Sequence, residues 1–194
     1  KIIKSGDVMQ DAANFYAKNS ADKSTILDSI PHSEFILCTM HRAENTDDLL
    51  RLTSIVNSLN KIHKKTPIVL PIHPRTKKIL EANNLELNVT MIEPVGYFDM
   101  IELLKNCSLV MTDSGGLQKE AFFFKKNCVT MRDQTEWVEL IENNVNILVG
   151  ADESKIIAGY ETMLNRESNF DMDLYGNGEA ADNIAKSIHQ LLSK

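Results

Sequence analysis

Several short stretches of this chain carry side chains suited to holding an anion. The sharpest is Asp113-Ser114-Gly115-Gly116. Glycines let a backbone pass close to a ligand, and free N–H groups at a helix start favour a negative charge. Ser114 adds a hydroxyl donor. Glu120 lies one helical turn beyond Gly116 on the same side; a carboxylate there repels phosphate but accepts hydrogen bonds from ribose hydroxyls. A capped turn with no ligand has the same composition, so both readings stand at this point. The turn lacks G-x-x-x-x-G-K-[ST] and G-x-G-x-x-G, which argues against a magnesium-dependent NTPase and a dinucleotide dehydrogenase. His41 and His73 are the histidines of interest, with Arg42, Arg75 and Arg132 near them in the expected topology. Together they could neutralise a diphosphate and stabilise its departure. Metal binding by the two histidines is the weaker option, because no H-x-x-x-H spacing supports it. His32, His63 and His189 read as structural or surface residues. Trp137 and Tyr97 could stack on a base, with core or lid packing as the default.

These residues share one kind of position. Each cluster follows a short apolar run rich in β-branched residues: Phe35 to Met40, Ile68 to Ile72, Val89 to Ile92, Leu109 to Thr112, Cys128 to Met131 and Asn146 to Val149. Runs this short and this apolar fit strands buried on both faces of a parallel sheet. Between them lie amphipathic segments. The best spans Asp47 to Lys64, where Leu49, Leu52, Val56, Leu59 and His63 recur at three- and four-residue steps beside Ile55 and Ile62. Shorter helices are expected at Thr76 to Asn83, Tyr97 to Asn106, Leu117 to Phe124 and Glu136 to Glu142. Alternating strands and helices imply right-handed βαβ crossovers. The expected fold is α/β, a doubly wound Rossmann-like parallel sheet of about six strands, whose ligands bind beyond the carboxyl ends of the strands.

The ends differ from this core, which is placed at residues 25–164. Val8 to Lys18 reads as a helix with Asp7 as N-cap, Ser20 to Ser24 as a polar break, and residues 1–24 together as an inter-domain helix and linker. Ser154 to Leu164 and Glu179 to Leu192 read as helices, with Asn165 to Gly178 as a polar loop between them. The whole of residues 1–194 is expected to form one nucleotide-binding domain. The chain starts at Lys1 without a methionine and reads as a piece of a longer protein.

Composition narrows the partners. The chain has 194 residues, is 43% hydrophobic and 25% charged, and carries a net charge of -6. That is ordinary for a globular protein able to bury a core without staples. With no Lys/Arg-rich run, a nucleic-acid surface is not expected. No apolar stretch approaches the roughly 20 residues of a membrane helix, and no signal peptide is expected at the front. Cys38, Cys107 and Cys128 are widely spaced, with no C-x-x-C. Cys38 and Cys128 read as core residues, which fits a reducing cytoplasm.

Taken in order, these runs are similar to those of the non-hydrolysing UDP-N-acetylglucosamine 2-epimerases. The matching residues are Thr39-Met40-His41-Arg42-Ala43-Glu44-Asn45, Pro71-Ile72-His73-Pro74, Asp113 to Ala121 and Met131-Arg132-Asp133-Gln134-Thr135-Glu136. The resemblance runs from Gly6-Asp7-Val8 to the closing helix. It implies the C-terminal half of a two-domain enzyme of glycosyltransferase-B architecture. The reaction implied is inversion of C2 in a UDP-2-acetamido sugar, by anti elimination of UDP to a glycal and re-addition on the other face, with no cofactor and no metal. By position, Ser114, Gly115 and Gly116 would bind phosphates and Glu120 the ribose, and the backbone near Met100 would meet uracil. His41 would contact the diphosphate and assist elimination, His73 would stand at the cleft, and Arg132 would belong to the substrate site.

Many members carry Thr-Glu-Arg-Pro-Glu where this chain has Thr135-Glu136-Trp137-Val138-Glu139. That arginine binds substrate in those members, and Trp137 takes its place. The Trp form, with Lys119-Glu120-Ala121-Phe122-Phe123-Phe124, resembles the branch acting on other UDP-2-acetamido sugars of capsule and O-antigen pathways. The acids that move the C2 proton lie in the family's N-terminal domain, so this segment alone is expected to be inactive, its partners being UDP, the UDP-sugar and its own N-terminal domain. The intact parent is expected to be a cytoplasmic homodimer. A hydrolysing epimerase or glycosyltransferase of the same architecture, and a nucleotide-binding module without activity, are the competing readings.

Overall fold

A computed structural model describes residues 2–193; Lys1 and Lys194, the two ends of the expected domain, lie outside the described residues. The chain opens with helices α1 (Val8–Ala17) and α2 (Ser20–Lys23) and a 3-10 turn (Ile26–Ser29). Then come β1 (Ile36–Thr39), α3 (Ala43–Thr46), α4 (Leu49–His63), β2 (Ile68–Pro71), α5 (Pro74–Ala82), β3 (Thr90–Ile92) and α6 (Tyr97–Asn106). The second half holds β4 (Leu109–Thr112), α7 (Gly115–Phe123), β5 (Cys128–Thr130), α8 (Val138–Glu142), β6 (Asn146–Leu148), α9 (Glu153–Leu164) and α10 (Ala180–Leu192). The six strands form one parallel sheet in the order β3-β2-β1-β4-β5-β6. This is the doubly wound α/β fold that the apolar runs predict.

Strand periodicity divides the core. Ile36, Cys38 and Met40 face one side of the sheet, where Leu52, Ile55, Val56, Leu59 and Ile62 of α4 and Ile156, Tyr160 and Met163 of α9 cover them. Leu37, Val69, Val110 and Cys128 face the other, under Leu103 and Leu104 of α6 and Leu117 and Ala121 of α7. Burying side chains of this size is worth about 1.5–3 kcal/mol each, which is what holds the helices to the sheet. The apolar stripe of α4 is rotated from its sequence reading. Leu49 is half exposed, and His63 is only part-buried, its Nδ1 accepting a hydrogen bond from the Ile68 N–H at 2.9 Å. Ile55 and Ile62 lie at the centre instead.

Other expectations need correction. β3 and β6 are not buried on both faces, because the strand order puts them at the sheet edges; Met91 is 44% exposed. The polar segment Ser20 to Ser24 is not a break. Ser20 starts a helical turn and is fully buried, its hydroxyl donating to Glu102 at 2.5 Å, while Lys105 pairs with the same carboxylate at 2.6 Å. Asn165 to Gly178 has no regular structure, yet it packs: Phe170, Met172, Leu174 and Tyr175 lie against Phe122, Leu140 and Val145. α8 starts later than expected, since Glu136 is engaged with Arg132 outside the helix. α7 starts earlier, so both glycines of the turn are already helical.

The two ends of the chain fasten together. Asp7 caps α1 through Met9 N–H (2.8 Å), and its own N–H donates to the Tyr175 carbonyl at 2.7 Å. The Asp11 carboxylate accepts from the N–H groups of Ala180 (3.1 Å) and Ala181 (2.7 Å) at the start of α10. Tyr16 packs edge-on against Tyr97 and Phe98 of α6. Gly6 and Gly176 touch backbone to backbone: a Cβ on Gly176 would stand 2.7 Å from the Gly6 Cα, and the φ of Gly176 is +91°. Gly176→Ala therefore meets a steric and a conformational penalty together. It should destabilise the chain by about 1–3 kcal/mol, read as a lower urea midpoint; an unchanged midpoint would mean this clasp is loose in solution.

Candidate functional site

The strand order reverses between β1 and β4, and an open α/β sheet places its ligand crevice beyond the carboxyl ends at such a point. Thr39 and Thr112 are register partners there and their hydroxyls meet at 2.6 Å. The loops that follow therefore leave the sheet side by side. What joins them is Asp113, which is fully buried. Its carboxylate accepts from the His41 N–H (3.1 and 3.2 Å), the Arg42 N–H (3.0 Å) and Asn45 Nδ2 (3.3 Å), and the His41 Nδ1 stands 3.6 Å away. Asn45 also donates to the Met131 carbonyl at 2.9 Å, so the ends of β1, β4 and β5 are tied through one carboxylate and one amide. Sequence reasoning placed Asp113 in the turn without this role. The available signal was an acidic residue directly after a strand that lies beside His41 to Asn45.

Ser114 is the N-cap of α7, its N–H donating to Thr112 Oγ1 at 2.8 Å and its Oγ accepting from Leu117 N at 3.5 Å. Gly115 and Gly116 form the first helical turn, where N–H groups have no intrahelical acceptor. Neither glycine has a positive φ. A Cβ on Gly115 would meet nothing nearer than Arg42 Nη2 at 3.5 Å, and one on Gly116 only Met9 Cε at 3.4 Å. Neither the backbone conformation nor the packing requires glycine at these two positions.

A cavity of about 350 Å³ opens at this turn. His41, His73, Met100, Ser114, Gly116 and Glu120 wall it, with Pro94, Val95 and Leu117 as apolar surface. So six of the sequence-predicted residues converge on one cavity from four strand ends. The His73 Nδ1 accepts from the Arg75 N–H at 3.2 Å and caps α5, which fixes the ring at the cavity wall. Glu120 keeps only 8% of its surface exposed. Burial raises its pKa above the ordinary carboxylate range, partly offset by the Tyr97 hydroxyl and the charge of Lys119. Tyr97 is pushed up to about 12, by burial first and then by Glu120.

Arg132, Trp137 and Arg42 lie on the other flank of the same turn. Arg132 is 3% exposed and grips Glu136 through two bonds of 2.8 and 3.0 Å, while its Nε has no partner. That bidentate bond holds Glu136 down at about 2. The Trp137 indole N–H donates to the Gly115 carbonyl at 2.8 Å. Arg75 pairs with Asp47 at 2.5 Å. Among the described residues, the Arg42 guanidinium has no hydrogen-bonded or ion-pair partner. A larger groove of about 570 Å³ lies beyond β5 and β6, but Arg51 there is already bonded to Asp133 and Asn45. Among the described residues no group of three His, Cys, Asp or Glu is placed to hold a metal ion, and no helix is long and apolar enough to cross a membrane.

The desolvation of Glu120 sets a test. A carboxylate whose folded pKa is raised contributes stability that is fully present below its unfolded value, about 4.3, and is lost as pH rises through the folded pKa. Glu120→Gln should therefore stabilise the chain in urea at pH 8, and this gain should vanish near pH 4. A gain that is the same at both pH values would show that burial of the charge is not the cause.

Comparison with known proteins agrees with this geometry. Residues 1–189 match the family profile described as UDP-N-acetylglucosamine 2-epimerase. The UDP-2,3-diacetamido-2,3-dideoxy-D-glucuronate 2-epimerase of Pseudomonas aeruginosa is 51% identical over 192 residues, covering 98% of this chain and 53% of that protein. The UDP-N-acetylglucosamine 2-epimerase of Methanocaldococcus jannaschii is 37% identical over 200 residues, 97% of this chain and 54% of its own length. Its crystal structure in complex with UDP-GlcNAc and UDP superposes with a TM-score of 0.88, covering 98% of this chain and 55% of that one. The chain thus spans about half the length of the curated relatives it matches. Its sheet order, its glycine turn and its match along nearly the whole sequence lead to one conclusion: the chain belongs to the UDP-N-acetylglucosamine 2-epimerase family.

Proposed function

We propose that this chain grips the UDP of a UDP-2-acetamido sugar, within a whole protein that inverts the sugar at C2. One observation carries the reading. Gly115 and Gly116 are glycine without conformational or packing need, at a helix N-terminus where Ser114 and Gly116 wall the cavity and the open side of Gly115 faces Arg42 and Arg132. Space for a close ligand explains them, and the first-turn N–H groups make that ligand an anion. The diphosphate then sits over Ser114, Gly115 and Gly116. The ribose hydroxyls reach Glu120, and uracil meets the backbone near Met100. His73 closes the wall, and Arg42 and Arg132 add positive charge on the far flank.

In the reaction, a base removes the C2 proton while the C1–O bond to UDP breaks, and the electron pair forms the C1–C2 double bond of a glycal. Protonation at C2 from the opposite face and return of the UDP oxygen to C1 complete the inversion. Nothing is oxidised or reduced overall. His41, whose Nδ1 faces Asp113, presents its Nε2 to the leaving diphosphate and stabilises the developing charge. The proton-transfer acids belong to a second domain. For its seat we propose the unpaired stripe of α10, where Ile184, Ile188, Leu191 and Leu192 are 37–82% exposed. The printed name of the Pseudomonas relative and the Trp137 replacement favour a diacetamido uronate over N-acetylglucosamine itself. Cys38, Cys107 and Cys128 are unpaired and buried, which fits a reducing cytoplasm.

Calorimetry tests the site. Gly115→Ala and Gly116→Ala should fold with a melting temperature close to that of the wild type. Each should lose UDP affinity by about tenfold or more, roughly 1.4 kcal/mol. Retained affinity would place the phosphate elsewhere. The whole protein in D₂O should yield the C2 epimer with deuterium at C2, whereas the 194-residue chain should bind UDP without turnover. Free sugar as the product would instead indicate a hydrolysing enzyme.

A further inference from the structure

The residue that replaces the substrate-binding arginine does not face the cavity. Trp137 turns its indole N–H back onto the Gly115 carbonyl at 2.8 Å, and its own N–H is held by Thr135 Oγ1 at 3.1 Å. Thr135 in turn donates to Gln118 of α7 at 2.7 Å, so the segment is fixed to the helix at two points. Beneath the ring lies Lys119, with Nζ 4.2 Å from the Trp137 centroid and 5.8 Å from that of Tyr175. Lys119 is 93% buried. A buried ammonium needs a counter-charge, and Asp7 supplies it at 2.5 Å. Asp7 is also the N-cap of α1, and Met9, two residues on, lies against the Gly116 face of the turn.

We infer that Trp137 is a positioning residue for the phosphate turn, and that Asp7 and Lys119 hold it in place and so couple α1 to the grip on the diphosphate. The physical reason is local. The Gly115 carbonyl belongs to the peptide whose N–H is that of Gly116. A donor fixed on that oxygen sets the plane of the peptide, and with it the direction of the N–H that a phosphate would meet. A cation under the indole holds the ring by attraction to its face, typically about 0.5–2 kcal/mol. This chain uses an aromatic ring to orient a backbone donor. The inference rests on the proposed UDP site.

Trp137 is the single tryptophan of the chain, so its emission reports on this point alone. UDP and uridine are titrated into the chain and into its W137F, K119M, K119R and D7N variants, followed by heat and, where Trp137 remains, by emission. W137F keeps an aromatic face over Lys119 on a smaller ring and removes the N–H. It should weaken UDP by about tenfold, the size of a lost charge-supporting hydrogen bond, and leave uridine within about twofold, because uridine brings no phosphate. D7N should shift the Trp137 emission in the free chain and weaken UDP severalfold at unchanged uridine affinity; K119M, which also removes a charge beside Glu120, should shift the emission and weaken UDP more than uridine. K119R keeps the cation and should restore both. If W137F fails to fold, the K119M and K119R pair decides the same question. UDP affinity unchanged in the variants would overturn the inference alone, and so would equal losses of UDP and uridine. A wild-type chain that binds neither ligand would remove the nucleotide reading itself, and the inference with it.

Discussion

A carboxylate with no exposed surface has to be satisfied by the protein, and most of this site follows from how Asp113 is satisfied. Leaving such a charge unpaired inside a fold costs several kcal/mol. Here the backbone N–H groups of His41 and Arg42 and the amide of Asn45 supply the donors. That requirement pulls the loop after β1 against the loop after β4. It brings His41 next to the glycine turn, starts the short helix α3, and leaves Asn45 free to reach the end of β5. The crevice is therefore an electrostatic construction. Its polar wall is set by a buried group that never touches the cavity.

The turn at Ser114 separates two environments. On one side lies a mostly apolar cavity with a single desolvated carboxylate, Glu120. On the other lies a charged shelf where Arg132 is committed to Glu136 and Arg42 is not committed to a side chain among the described residues. The proposed UDP site puts the nucleoside in the first and the outer part of the sugar nucleotide on the second. Burial disfavours the charged form of Glu120, and a carboxyl group kept in a cavity against that penalty points to binding rather than packing.

Much of this was legible in the sequence, for identifiable reasons. Buried parallel strands must be short and apolar on both faces, so Ile36–Thr39, Leu109–Thr112 and Cys128–Thr130 announce themselves. In an open parallel sheet the polar residues after such strands have to share one edge, which brings His41, His73, Ser114 and Glu120 together from sequence order alone. What could not be read was long-range satisfaction of buried polar groups. Ser20 looks like part of a linker because its partner, Glu102, is 82 residues away. Asp113 looks like a turn residue because its donors are on another loop. Edge strands were also hidden, since the composition of Val89 to Ile92 does not say how many neighbours the strand has. Trp137 reads from the sequence as a residue that could stack on a base, with core or lid packing as the default; its hydrogen bond to the Gly115 carbonyl is something no spacing rule encodes.

The contact of Gly6 with Gly176 has a mechanical meaning as well. The segment leading into α1 and the segment leading into α10 cross there at backbone distance, and Asp11 binds the start of α10 to α1 beside the crossing. Two chain passages pinned at one spot make a pivot. Neither end segment can slide along the sheet without separating two glycines that have no side chains to give way, so passages from opposite ends of the sequence keep a fixed register against each other.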